Sequence, residues 1–70
     1  MMVNKVSDII TLVMRRDRIS YKDARRAVLI CQDEMFEAVE AGANYEEIEN
    51  ILMDELGLEP DYMDILLPIY

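Results

Sequence analysis

The sequence predicts an all-α fold, a compact bundle of three main helices and a short C-terminal helix that forms a single domain over residues 1–70. Apolar residues recur at spacings of three and four, and no segment alternates with a period of two. Two Gly and two Pro are too few turn-forming residues for an all-β chain of this length, and the strand-favouring Trp is absent. An apolar fraction of 53% argues against disorder, although the net charge is −8.

The first helix is predicted over about residues 3–17. One face of this segment carries four apolar residues at helical spacing, which are Val6, Ile9, Ile10 and Val13. The spacing predicts that this face packs against the rest of the bundle.

The second helix is predicted over about residues 21–41, with Ser20 and Asp23 forming a capping box at its start. At 1.5 Å per residue it is about 30 Å long, so we expect it to be the spine of the bundle. Its apolar residues step by three and four in a heptad seam, which consists of Tyr21, Ala24, Val28, Cys31, Met35 and Ala38.

The third helix is predicted over about residues 45–56. Asn44 and Glu47 have the spacing of a capping box, and Gly42 and Gly57 stand where helices end with a positive φ. The short connection predicts that this helix folds back antiparallel against the second. Its apolar side consists of Ile48, Ile51, Leu52 and Leu56, with Tyr45 at the edge.

The last helix is predicted over about residues 60–67. Pro60 suits the first turn of a helix, and Pro68 cannot continue one. Its predicted apolar face consists of Tyr62, Ile65, Leu66 and Ile69.

Several large apolar residues lie outside the predicted apolar faces of their helices. On the second helix, Leu29 and Phe36 stand about 80–100° from Val28, and Ile30 points away from the seam. The other such residues are Leu12, Met53, Met63 and Leu67. Either the C-terminal helix and residues 68–70 wrap over them, or they form an interface. We expect Leu29, Ile30 and Phe36 to lie in the interface of a homo-oligomer, most simply a dimer.

Charge divides sharply along the chain. Residues 1–30 carry seven basic and three acidic side chains, a net +4. Residues 31–70 carry twelve acidic side chains and no basic one, which gives −12. This asymmetry is the most informative feature of the sequence.

The basic residues cluster around the turn between the first two helices. Near the start of a helix, such side chains are candidates for phosphate contacts, so a nucleic-acid-binding regulator is one hypothesis. The candidate contacts are Arg15, Arg16, Arg18, Arg25 and Arg26. The net charge of −8 opposes that hypothesis. The alternative is that the cluster neutralises acids of the same chain or of a neighbouring subunit.

The acidic half is either a solvated helix surface or a surface that binds a basic partner protein. Carboxylates on rigid helices can compete for a groove that holds nucleic acid, and they speed encounter with a basic protein. The candidate partner-binding residues are Asp33, Glu37, Glu40, Glu46, Glu47, Glu49 and Asp54. Glu55 falls within the apolar arc of the third helix, where an unpaired carboxylate is costly. We therefore expect it to pair with Arg16.

The residue types present argue against catalysis, disulfide formation and metal binding. There is no His, and the single Cys31 cannot form an internal disulfide or a multi-cysteine zinc site. We therefore expect no catalytic residue, no metal and no cofactor, and Cys31 to be a small buried apolar residue. No apolar run is long enough for a membrane span. A free thiol fits a reducing cytoplasm.

The stretch from Tyr45 to Glu49 and that from Gly57 to Tyr62 resemble small acidic helical proteins encoded by phages and mobile elements. The resemblance covers about a third of the chain and includes no motif of a named family. It implies an accessory or inhibitory role. Together with the charge pattern, it leads us to expect a non-catalytic protein that acts by binding a basic, nucleic-acid-binding protein. The alternatives are a nucleic-acid-binding regulator and a purely structural homo-oligomer.

Overall fold

The computed structural model describes residues 5–67, which contain helices and no strand. The three main helices are α1 (Val6–Asp17), α2 (Tyr21–Glu40) and α3 (Tyr45–Leu56). A short 3₁₀ turn (Pro60–Tyr62) then continues directly into α4 (Met63–Leu66). The all-α prediction is therefore confirmed, with three main helices and a short C-terminal one.

Both predicted helix starts have the expected side-chain caps. The Ser20 hydroxyl oxygen accepts a hydrogen bond from the backbone N–H of Asp23 at 3.1 Å. The side-chain amide oxygen (Oδ1) of Asn44 accepts one from the backbone N–H of Glu47 at 2.9 Å. Each bond satisfies an amide that has no partner within the first turn of its helix, so local sequence sets where α2 and α3 begin.

Two helices, α2 and α3, end at the predicted glycines, whereas α1 ends at a residue for which no such end was predicted. Gly42 has a φ of 88° and Gly57 a φ of 64°. After α2, the backbone N–H of Ala43 donates to the carbonyl of Ala38 at 2.9 Å, the long bond of a Schellman motif. α1 instead ends at Arg18, a non-glycine residue with a φ of 56°. That conformation is strained for an L-residue, and the sequence contains no signal for it.

The core lies where α1, α3 and the C-terminal segment meet the buried side of α2. Both α1 and α3 pack against α2, and the longest dimension of the molecule is 34 Å, close to the length of that helix. α2 is therefore the spine, as predicted. The core side chains are Ile9, Ile10, Val13, Ala24, Val28, Cys31, Met35, Ile48, Leu52, Leu56, Leu58, Met63, Leu66 and Leu67.

Three side chains depart from the predicted faces. Tyr21, assigned to the seam of α2, is 47% exposed, because it lies in the first turn, at the end of the packed region. Met63 and Leu67, predicted to fall off the apolar stripe, are fully buried. A segment as short as α4 does not present two distinct faces, so an ideal helical wheel misplaces its residues.

The C-terminal segment also differs in form from the single helix predicted over residues 60–67. Its first turn is 3₁₀, and Pro60 stands at the start of that turn. The side-chain N–H of Gln32 in α2 donates to the carbonyl of Leu66 at 2.9 Å and so holds the end of α4 against the spine.

Some predictions fall on residues outside the described range. They are the start of the first helix at residue 3, the stop at Pro68, the position of Ile69 and the covering of the apolar surplus by residues 68–70. Within the described residues, α1 starts at Val6, after Lys5 in extended conformation.

Candidate functional site

The acidic surface, as we call it, consists of the seven candidate partner-binding residues. Those on the second half of α2 are Asp33, Glu37 and Glu40, and those on α3 are Glu46, Glu47, Glu49 and Asp54. Six are exposed, and Glu49 is partly buried. The short connection between α2 and α3 brings Glu40 and the pair Glu46–Glu47 to the same end of the molecule.

The two halves of this surface differ in their effect on helix stability. Glu46 and Glu47 lie in the first turn of α3, where the positive end of the helix dipole favours a carboxylate. Glu37 and Glu40 lie in the last turn of α2, which contains no basic residue. Carboxylates at the negative end of a helix dipole cost about 0.3–1 kcal/mol each when exposed. The α2 part of the acidic surface therefore does not stabilise its own helix.

A carboxyl pair bridges α2 and α3 beside this surface. Glu34 and Glu55 share a hydrogen bond that raises the pKa of Glu34, and the negative charge of Glu55 raises it further. Two like charges at one place favour a shared proton. The predicted pair between Glu55 and Arg16 is thus wrong, because Glu55 is exposed and turned toward Glu34 of the spine.

The buried thiol of Cys31 lies close to that carboxyl pair. Burial raises the pKa of Cys31 to about 11, and the charges of Glu55 and Glu34 add to the effect. A thiol of this kind is almost entirely protonated at neutral pH, so it is a poor nucleophile and a poor metal ligand. Cys31 is a core residue, as the sequence predicted.

The basic corner, as we call it, comprises the six cationic residues from Arg15 to Arg26. All of them are exposed on the end of α1, the turn after it and the first half of α2. Only Arg16 forms a salt bridge within residues 5–67, at 2.9 Å to its neighbour Asp17. It also donates to the carbonyl of Gly57 at 3.4 Å, which places it against the end of α3.

The ion pairs of the basic corner indicate how many of its cations neutralise acids of the same chain. The hydrogen bond from Arg16 lowers the pKa of Asp17, the usual effect of a cation on a carboxyl. The other five cations pair with no acid of the described chain, and they are Arg15, Arg18, Lys22, Arg25 and Arg26. Neutralisation by acids of the same chain therefore accounts for Arg16 alone.

The apolar face of α2 that points away from the core is only partly covered. Ile30 is 48% exposed, Phe36 is 36% exposed and Leu29 is partly buried. On α3, Met53 is also exposed. Among the described residues, the predicted surplus is thus real on α2 and α3, whereas at Met63 and Leu67 it is absorbed into the core.

The described part of the chain encloses no pocket and no group of three or more His, Cys, Asp or Glu side chains placed to hold a metal ion. None of the helices in residues 5–67 combines the length and the hydropathy that a membrane crossing requires. Three surface features are the candidate sites within the described residues: the acidic surface, the basic corner and the apolar face of α2. Comparison with protein-family models, curated proteins and solved structures produced no match.

Proposed function

We propose that this chain is a non-catalytic binding protein whose acidic surface captures a basic protein, in particular one that binds nucleic acid. One observation carries the proposal. No carboxylate of the acidic surface forms a salt bridge within the described residues, although six of the seven are exposed on two rigid helices. Such a surface attracts a basic partner at long range and needs no rearrangement to bind it.

The placement of Glu37 and Glu40 adds support. A surface that served solubility alone would gain stability from acids at helix starts and would avoid them in the last turn of α2. Acids at an unfavourable position are better explained by an external partner. We propose the cytoplasm as the location and an accessory or inhibitory role, as the resemblance to phage-encoded proteins implies.

The test is titration of a fluorescent Lys- and Arg-rich peptide, about 20 residues long, followed by anisotropy at roughly physiological salt. The variant neutralises three exposed acids of α3, with the changes Glu46→Gln, Glu47→Gln and Asp54→Asn. We expect it to weaken binding by about tenfold, equivalent to roughly 1.4 kcal/mol over three screened charges.

The matched control neutralises three exposed acids near the C-terminus, with the changes Glu59→Gln, Asp61→Asn and Asp64→Asn. Both variants change the net charge by the same amount. If the control weakens binding as much as the α3 variant, then net charge alone attracts the peptide and the acidic surface is not a site.

A nucleic-acid-binding regulator is the second candidate function, and the unpaired cations of the basic corner favour it. Titration of labelled duplex DNA and single-stranded RNA over a range of salt concentrations separates the two functions. Binding with a steep salt dependence that is lost in Arg15→Ala, Arg18→Ala and Arg25→Ala variants would support the second function and overturn the first.

We also propose that the protein self-associates as a dimer. The partly exposed Leu29, Ile30 and Phe36 support this, since a chain this small gains from covering apolar area that it cannot bury itself.

A further inference from the structure

The outward face of α2 has an ordered pattern of charge. Reading from its start, it presents a basic third, then apolar side chains, then an acidic third. Arg25, Leu29, Phe36 and Glu40 fall within an arc of about 60° on the helix surface, at 100° per residue. Arg25 and Glu40 are exposed, Phe36 is 36% exposed and Leu29 is partly buried. These four side chains therefore form one stripe along the side of α2, about 60–120° around the helix from the core residue Val28.

The stripe is symmetric about a point between Gln32 and Asp33. Leu29 and Phe36 lie about 5 Å from that point in opposite directions along the helix, at 1.5 Å per residue. Arg25 and Glu40 lie about 11 Å from it in the same way. When a second copy of α2 is laid antiparallel over this point, each residue faces the other member of its pair, so that apolar meets apolar and basic meets acidic.

We propose that two copies of this chain associate through α2 in an antiparallel arrangement with a two-fold axis between Gln32 and Asp33. This inference rests on the self-association proposed above, and it specifies the surface, the orientation and the register. Of the three apolar residues proposed for the interface it uses Leu29 and Phe36, because Ile30 lies about 100° around the helix from Leu29. Leu29 of one copy packs against Phe36 of the other, and Arg25 of one copy pairs with Glu40 of the other. Each contact occurs twice because of the symmetry.

Charge decides the orientation. Neither Arg25 nor Glu40 forms a salt bridge within residues 5–67, so both are available to another chain. Arg26 and Glu37 lie on the flank of the same stripe and also become neighbours across the axis. The two copies of Asp33 meet near the axis as like charges, and the Arg–Glu contacts outnumber this single unfavourable one. A parallel arrangement would place the basic thirds together and the acidic thirds together, and such like-charge contacts are unfavourable.

The proposed dimer leaves the α3 part of the acidic surface open. Antiparallel pairing occupies Glu40 and its flank on α2, whereas Glu46, Glu47 and Asp54 belong to α3. The α3 acids can thus capture a basic protein while α2 is paired, whereas Glu37 and Glu40 of the acidic surface are taken up by the second copy, so the test of capture through α3 and the test of self-association can fail separately. Because Leu29 and Phe36 are the main apolar anchors, the interface is small, and we expect a dissociation constant on the order of micromolar.

The first experiment is a charge exchange measured by sedimentation equilibrium. Arg25→Glu and Glu40→Arg should each weaken the homodimer by about tenfold, because each places like charges in contact twice. An equimolar mixture of the two variants should dimerise nearly as tightly as the original protein, since both contacts are then between opposite charges. Arg15→Glu and Asp54→Arg make the same changes of net charge away from α2 and should have little effect.

The second experiment tests the register by disulfide formation. A mixture of Leu29→Cys and Phe36→Cys proteins should cross-link faster than either protein alone. In the register proposed, two copies of residue 29 lie about 10 Å apart along the helix axis, too far for a disulfide. The native Cys31 is fully buried and does not compete.

The outcomes separate the two proposals. A monomer at all concentrations up to the high micromolar range overturns both self-association and the α2 arrangement. A dimer that is not restored by mixing and does not cross-link preferentially overturns the arrangement alone. If only a chain ending at Leu67 dimerises, residues 68–70 cover the face in the intact protein, which also overturns the arrangement.

Discussion

The thiol of Cys31 should be almost inert in the folded protein. Its side chain is fully buried on the spine helix, with its sulfur 3.7 Å from the sulfur of Met35. Burial raises the pKa from 9.0 to about 11, with a further contribution from Glu55 and Glu34. At pH 8 this lowers the thiolate fraction about a hundredfold, since each pKa unit is a factor of ten. The thiol must also be exposed by opening of the bundle before a reagent can reach it.

The assay is reaction with a chromogenic disulfide reagent at pH 8, followed by absorbance in buffer and in guanidinium. We expect the folded protein to react at least about a hundredfold more slowly than the unfolded chain. Met53→Cys is the control, because residue 53 is 52% exposed and a thiol there should react at once. A native Cys31 that reacts within about tenfold of the unfolded rate would refute both the burial and the raised pKa.

Three further predictions concern stability, each measured by urea unfolding. Arg18→Gly should raise the free energy of unfolding by up to about 1 kcal/mol, because glycine adopts a φ of 56° without strain; a loss of stability would contradict this. Gln32→Ala should lower it by about 1 kcal/mol, since the carbonyl of Leu66 loses its donor; an unchanged midpoint would contradict this. Glu34→Gln should remove a pH dependence. The hydrogen bond with Glu55 raises the pKa of Glu34, so the folded state holds that proton more tightly and stability should increase as pH falls from 7 toward the ordinary glutamate range. If the free energy of unfolding changes equally with pH in the variant and in the original protein, the Glu34–Glu55 pair does not contribute to the pH dependence.

Helix boundaries were predictable where a neighbouring residue decides them. Ser20 and Asn44 cap their helices through backbone amides three residues away, so the sequence alone contains both partners. Gly42 and Gly57 adopt the positive φ that only glycine takes freely. The end of α1 was not predictable in this way, because an arginine has no local preference for the positive φ that Arg18 adopts.

The sequence also predicted part of the candidate surfaces. The division of charge is a property of the sequence, and the long, regular α2 makes a helical wheel accurate for Leu29, Ile30 and Phe36. The same reasoning failed for Met63 and Leu67, because the C-terminal segment is short and its burial depends on what packs over it. It also failed for Tyr21, which lies at the end of the packed region of α2, so periodicity predicts exposure only in the middle of a long helix.

The sequence by itself thus determined the four helical segments, the spine and the separation of charge, since these depend on contacts within a few residues. Only the tertiary structure decided the contacts between helices. Arg16 reaches the end of α3 but binds the carbonyl of Gly57, while Glu55 meets Glu34. These partners depend on how each helix is rotated about its own axis. That rotation is set by the packing of the whole core, a sum over distant residues that no local pattern contains.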